Sequence, residues 1–105
     1  LMGATALWTA VHYRLPCLFL ICNNRSFFND EVHQERVAKE RSRPVENKWI
    51  GQRMSDPEMD LAMIARGQGA EGLGPVTRRE DLAATIAKAI SLVDAGKVCL
   101  VDIRV

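Results

Sequence analysis

The feature that most constrains this chain is an uninterrupted apolar run, Cys17-Leu-Phe-Leu-Ile-Cys22, closed in front by Pro16 and behind by Asn23-Asn24. A strand with one wet face alternates apolar and polar residues. A run that is apolar at every position must be covered on both faces, which is the condition of a strand in a parallel sheet between helical layers. The run therefore predicts a central parallel strand. Extended forward to Leu15 it is still far too short to cross a bilayer.

The flanking segments supply the helices. Met2, Ala6, Leu7, Ala10, Val11 and Tyr13 recur at helical spacing, predicting a helix over about 2–14 that Pro16 forbids from continuing. A second helix is expected from Asn29 or Asp30 through Val37. Residues 41–56, with Pro44, Gly51 and many charges, read as a long excursion, and such loops are often functional. Ser55-Asp-Pro-Glu58 has the form of a capping box ahead of a helix through Leu61, Ala62, Ile64 and Ala65, and Thr77-Arg-Arg-Glu80 has it ahead of a helix through Leu82, Ile86, Ala89, Ile90 and Val93. A brief strand is expected within 70–76. Gly96 should close the last helix, and Val98 to Val105 should form a strand. The order helix, strand, helix, helix, short strand, helix, strand indicates an α/β fold, a parallel sheet with flanking helices, in one domain over 1–105.

Composition excludes several functions. Hydrophobic residues make up 48% of the 105, charged residues 26%, and the net charge is +1, so no basic footprint for nucleic acid exists. There is no signal-peptide pattern and no membrane segment. Three cysteines, Cys17, Cys22 and Cys99, all in apolar runs, suggest buried free thiols in a reducing compartment, taken as the cytoplasm. No Cys-x-x-Cys pair occurs, and His12 and His33 lack ligand-spaced partners, which disfavours zinc. Both histidines read as surface or packing residues, and Trp8 as core or interface.

Ligands of open parallel sheets bind at the carboxyl ends of strands. The polar, turn-rich strand end here is Asn23-Asn24-Arg25-Ser26. Amide and carbonyl oxygens are hard neutral donors suited to magnesium, which also takes oxygens from a diphosphate. Amides opening the next helix could hold phosphate oxygens. An isolated Asn-Asn pair is more commonly just a turn.

The segment Leu1-Met-Gly-Ala-Thr-Ala-Leu-Trp-Thr-Ala10, then Leu15-Pro16, then an apolar strand ending in Asn23-Asn24, resembles the second half of the thiamine-diphosphate motif of thiamine-diphosphate-dependent enzymes. In that family a Gly-Asp-Gly triplet precedes the helix; it would lie just upstream of Leu1. The later segments Gly74-Pro75-Val76, Glu80-Asp81-Leu82, Gly96-Lys97 and Val101-Asp102 are similar to the end of the same domain, closest to the acetolactate-synthase and benzoylformate-decarboxylase branch. The excursion over 41–56 matches least well. The resemblance implies the C-terminal part of a diphosphate-binding domain, a partial Rossmann-like three-layer fold.

It also implies roles. Asn24 would give its side-chain oxygen, and Ser26 its backbone carbonyl, to Mg2+, with the triplet aspartate as the third protein ligand. Backbone groups of Ser26, Phe27 and Phe28 would hold the diphosphate of thiamine diphosphate. Asn29 and Asp30 fall where relatives face the thiazolium or substrate, making Asp30 a candidate for proton transfer; either is also a natural helix cap. Phe27 and Phe28 could line the substrate pocket or merely anchor the loop, and Arg25 could touch a phosphate or be solvated.

The implied activity is decarboxylation or carboligation of 2-oxo acids by a larger parent. Its pyrimidine-binding domain comes from a partner subunit in a homodimer or homotetramer, and these 105 residues alone are inactive. A non-catalytic α/β assembly or regulatory domain is the alternative. An unrelated nucleotide-binding domain would need a Gly-rich loop after its first strand, and Gly67-Gln68-Gly69 follows a helix instead.

Overall fold

The computed structural model describes residues 3–105. The elements follow in the order α1 (Thr5–His12), β1 (Cys17–Asn23), α2 (Phe28–Glu40), α3 (Leu61–Gly67), β2 (Glu71–Val76), α4 (Arg79–Asp94) and β3 (Val98–Arg104). This is the order expected from the sequence; Met2, placed in the first helix by its spacing, lies outside the described residues. The chain divides into two compact units, one made of 1–23 and 60–105, the other of 24–59.

The first unit holds a parallel three-stranded sheet of order β1-β3-β2. Alternation along β3 sends Val98 and Leu100 to one face and Cys99 and Val101 to the other. On the first face they pack with Leu7 and Ala10 of α1, Ala65 of α3 and Ala70. On the second they meet Ala89, Leu82, Leu92 and Val93 of α4. Helices on both faces of a parallel sheet make this a three-layer α/β fold. Alanines at the helix contacts let α3 approach closely: a Cβ on Gly72 would stand 2.1 Å from the Ala62 carbonyl oxygen.

The expectation that β1 is the central strand is corrected: β3 is central and β1 forms an edge. Apolarity on both faces reports the layers above and below a strand, not its lateral neighbours. Cys17, Phe19 and Ile21 do pack on one layer and Leu18 on the other, as the run required. Leu20 is 48% exposed.

Two capping boxes are also corrected. Helix α3 is capped not by Ser55 but by Asp60, whose Oδ1 accepts the Met63 N–H at 2.7 Å. Before α4 the cap position belongs to Arg78 rather than Thr77, with no side-chain bond to the helix. Arg78 instead clasps Asp81 through two hydrogen bonds of 2.9 and 3.1 Å. The Asp carboxylate in the first turn already meets the helix N-terminus favourably. The thiols are free, but only Cys99 is buried, Cys17 is half-buried and Cys22 exposed. Burial pushes the Cys99 thiol pKa up. Trp8 is exposed and stacked on His12 at 4.8 Å between ring centroids.

The second unit is built on α2. The chain before this helix pairs antiparallel with the segment around Arg53: Phe27 N–H donates to Gln52 O at 3.0 Å and Met54 N–H to Arg25 O at 2.8 Å. Lys39 and Lys48 both donate to Glu35, and Arg53 lies over the Trp49 ring at 5.2 Å.

Candidate functional site

The Asn pair ends β1, and its two members do different work. Asn23, opposite Arg104 in the sheet register, belongs to the first unit. Its Nδ2 donates to Asp102 Oδ1 at 2.9 Å, and its carbonyl accepts the Val105 N–H at 3.3 Å. Asp102 is wholly buried in β3, where an unpartnered carboxylate is costly, so the Asn23 amide offsets part of that cost.

Asn24 opens the second unit. Its Oδ1 accepts the Ser26 N–H at 3.1 Å, closing an Asx turn. The turn forces Arg25 into the left-handed region, φ 57°, where an L side chain is strained by about 1–2 kcal/mol. An amide oxygen has two lone pairs, so Asn24 Oδ1 keeps one for a further partner. The Ser26 hydroxyl donates to Glu31 Oε1.

These residues line a cavity of about 310 Å³ together with Phe28, Arg53 and Ser55. The donor chemistry fits a magnesium diphosphate. Asn24 and Ser26 offer neutral oxygens for a hard cation, and the guanidiniums of Arg25 and Arg53 complement phosphate oxygens. Arg25 also faces Glu58, with 3.8 Å between Nη1 and Oε1.

Of the residues singled out from the sequence, Asn24, Ser26 and Phe28 come together at this cavity. Phe27 does not line it. Phe27 occupies the cap position of α2 without a side-chain bond, and its amide is already given to Gln52 O. The Ser26 amide is likewise given to Asn24. Among the three amides considered for the diphosphate, that of Phe28 has no protein acceptor among the described residues, as expected for the first residue of a helix. Asn29 and Asp30 stand exposed in the first turn of α2, outside the cavity lining. Neither is the cap; Asp30 acts on the helix dipole instead.

Sequence reasoning missed Glu31 and Arg53 and read Ser55 only as a cap. Glu31 carried a signal: a carboxylate one turn into a helix that follows a serine loop. Arg53 carried none, because it reaches the loop through backbone pairing across the excursion.

A family model described as "Thiamine pyrophosphate enzyme, C-terminal TPP binding domain" matches residues 1–103. No curated protein and no solved structure matched the chain. The match spans nearly the whole sequence, and its cofactor agrees with the oxygen donors and guanidiniums gathered around Asn24. The chain belongs to the family of C-terminal, thiamine-pyrophosphate-binding domains of thiamine pyrophosphate enzymes.

Proposed function

We propose that this domain supplies the magnesium- and diphosphate-binding part of the active site of a 2-oxo-acid lyase or transferase of the acetolactate-synthase type. The observation that carries the reading is the cavity in which Asn24, Ser26, Arg25 and Arg53 meet. Asn24 Oδ1 and the Ser26 carbonyl would hold Mg2+. The guanidiniums and the Phe28 amide would hold the diphosphate and offset its charge. The bound cofactor would supply a thiazolium that serves as electron sink for decarboxylation or carboligation. The chain's own contribution is to bind and orient: it fixes one end of the cofactor so that the ring is presented to substrate in a set position.

In this reading the remaining parts of the site come from other segments. A pyrimidine-binding domain of a partner subunit completes it, within a cytoplasmic homodimer or homotetramer. Asn29 and Asp30, exposed at the start of α2, would serve substrate only once that second domain closes over them.

The test is calorimetric titration of thiamine diphosphate with Mg2+ into the intact enzyme that carries this domain, beside its Asn24→Ala variant. The expected result is tight binding in the parent and a loss of about 10–100-fold in the variant, at least the size seen when a metal's supporting residues are removed. A folded parent that binds neither would leave a non-catalytic assembly domain.

A further inference from the structure

Helix α2 buries an acid and exposes an aliphatic residue. Glu31 is 6% exposed and is the one buried residue among those of α2, whereas its neighbour Val32 is 48% exposed. Hydrophobicity alone would turn the helix the other way. A buried carboxylate is costly to desolvate unless hydrogen-bonded. Among the described residues its side chain is bonded by a single group, the Ser26 hydroxyl.

Ser26 is thereby held at two of its polar atoms. Its N–H goes to Asn24 Oδ1, and its Oγ–H goes to Glu31 Oε1. The antiparallel pairing with Arg53 runs through the flanking residues, by Phe27 N–H to Gln52 O and Met54 N–H to Arg25 O. It leaves the Ser26 carbonyl oxygen uncommitted among the described residues. A carbonyl with that freedom, on a residue so fixed, is what a cation demanding near-ideal octahedral geometry requires.

We infer that Glu31 is a positioning residue of the cation site: its carboxylate locks the Ser26 side chain and so holds the Ser26 carbonyl ready for the divalent cation. The inference rests on the magnesium-diphosphate reading of this cavity. Glu31 acts through Ser26 and does not itself meet the metal. The hydrogen bond, not the charge, is the working part, so a glutamine that keeps an acceptor oxygen should replace it.

The test uses the intact enzyme saturated with thiamine diphosphate and titrated with Mg2+ by calorimetry, with circular dichroism to check folding. Glu31→Ala should weaken Mg2+ binding about 10–100-fold, the range for residues that orient metal ligands. Glu31→Gln should stay within a few-fold of the parent. Ser26→Ala keeps the carbonyl but removes the hydroxyl, and should reproduce the Glu31→Ala loss. The double variant should lose no more than either single one, because one interaction is being removed twice.

Unchanged Mg2+ affinity in Glu31→Ala overturns the inference. So does an equal loss in Glu31→Gln, which would assign the effect to charge, and so do additive losses in the double variant. If Glu31→Ala does not fold, Glu31→Gln and Ser26→Ala decide in the same way: a preserved and a weakened affinity support the role, and any other pair overturns it. A parent that binds neither thiamine diphosphate nor Mg2+ brings down the cavity's assignment and this role together. A parent that binds both while Glu31→Ala is unaffected brings down the role of Glu31 alone.

Discussion

At the scale of single residues, Glu35 shows how neighbours set a titration. Hydrogen bonds from Lys39, with Nζ 2.6 Å from Oε1, and from Lys48, reinforced by the charges of both ammonium groups, hold its pKa down at about 2 against an ordinary 4.5. A carboxylate whose folded pKa is depressed stabilises the fold fully above its unfolded pKa. That stabilisation fades as the pH falls below 4.5 and is gone once the folded pKa of about 2 has been passed. Glu35→Gln should therefore remove part of the pH dependence between these limits. Urea midpoints of both proteins, measured from pH 5 down to pH 2, should converge toward the acid end as about one carboxylate's linkage is lost; a constant gap would contradict the assignment. The same scale shows what a sequence discloses about a site. Asn24 and Ser26 were legible because they follow the last residue of an apolar strand at a fixed distance along the chain. Arg53 was not, since its place depends on pairing with Ser26 across the whole excursion. Glu31 left one local mark, a carboxylate one turn into the helix after a serine loop, but its burial runs against the pattern from which helix faces are read.

At the scale of elements, the four helices among the described residues finish in the same way. The residue three past the end of each helix donates to a carbonyl in the last turn. The bonds are Leu15 to Ala10 at 2.9 Å, Arg43 to Ala38 at 2.8 Å, Ala70 to Ala65 at 3.0 Å and Lys97 to Leu92 at 3.0 Å. Each motif needs one residue at positive φ. Gly69 and Gly96 supply it after α3 and α4, but Arg14 and Ser42 do so after α1 and α2, at φ 53° and 51°. An L residue there costs about 1–2 kcal/mol, more than the extra entropy glycine loses on folding. Ser42→Gly should thus stabilise the protein by about 0.5–1 kcal/mol, and Gly96→Ala should destabilise it by about 1 kcal/mol or more. Thermal melts of the two variants should move in opposite directions from the parent. Helix ends marked by glycine were accordingly readable from the sequence, as Gly96 was. The starts were less so: Asp60 and Arg78 took the cap positions that the serine and threonine boxes had suggested, because the following helices begin later than those boxes allow.

At the scale of the whole molecule, element order was legible and lateral order was not. Local periodicity names an element, but which strand lies in the middle depends on pairings between distant segments. Strand β1 pairs on one side with β3, and Leu20 stands half exposed on this edge strand. Open strand edges with apolar side chains template association between copies. The isolated chain should therefore scatter light increasingly with concentration, and Leu20→Lys should reduce that scattering while leaving the far-ultraviolet spectrum unchanged. Equal scattering from both would place the association elsewhere. The position of β3 has a further consequence, in the order of biosynthesis. Both of its neighbours are made before it: β1 leaves the ribosome and waits, with Cys17 destined for Val98, while α2, α3, β2 and α4 follow. No strand-to-strand bond of this sheet can form until residues 98–104 have emerged. From the emergence of β1 to that of residues 98–104 the nascent chain must carry these apolar strands without the one that joins them, a window in which a chaperone has something to grip.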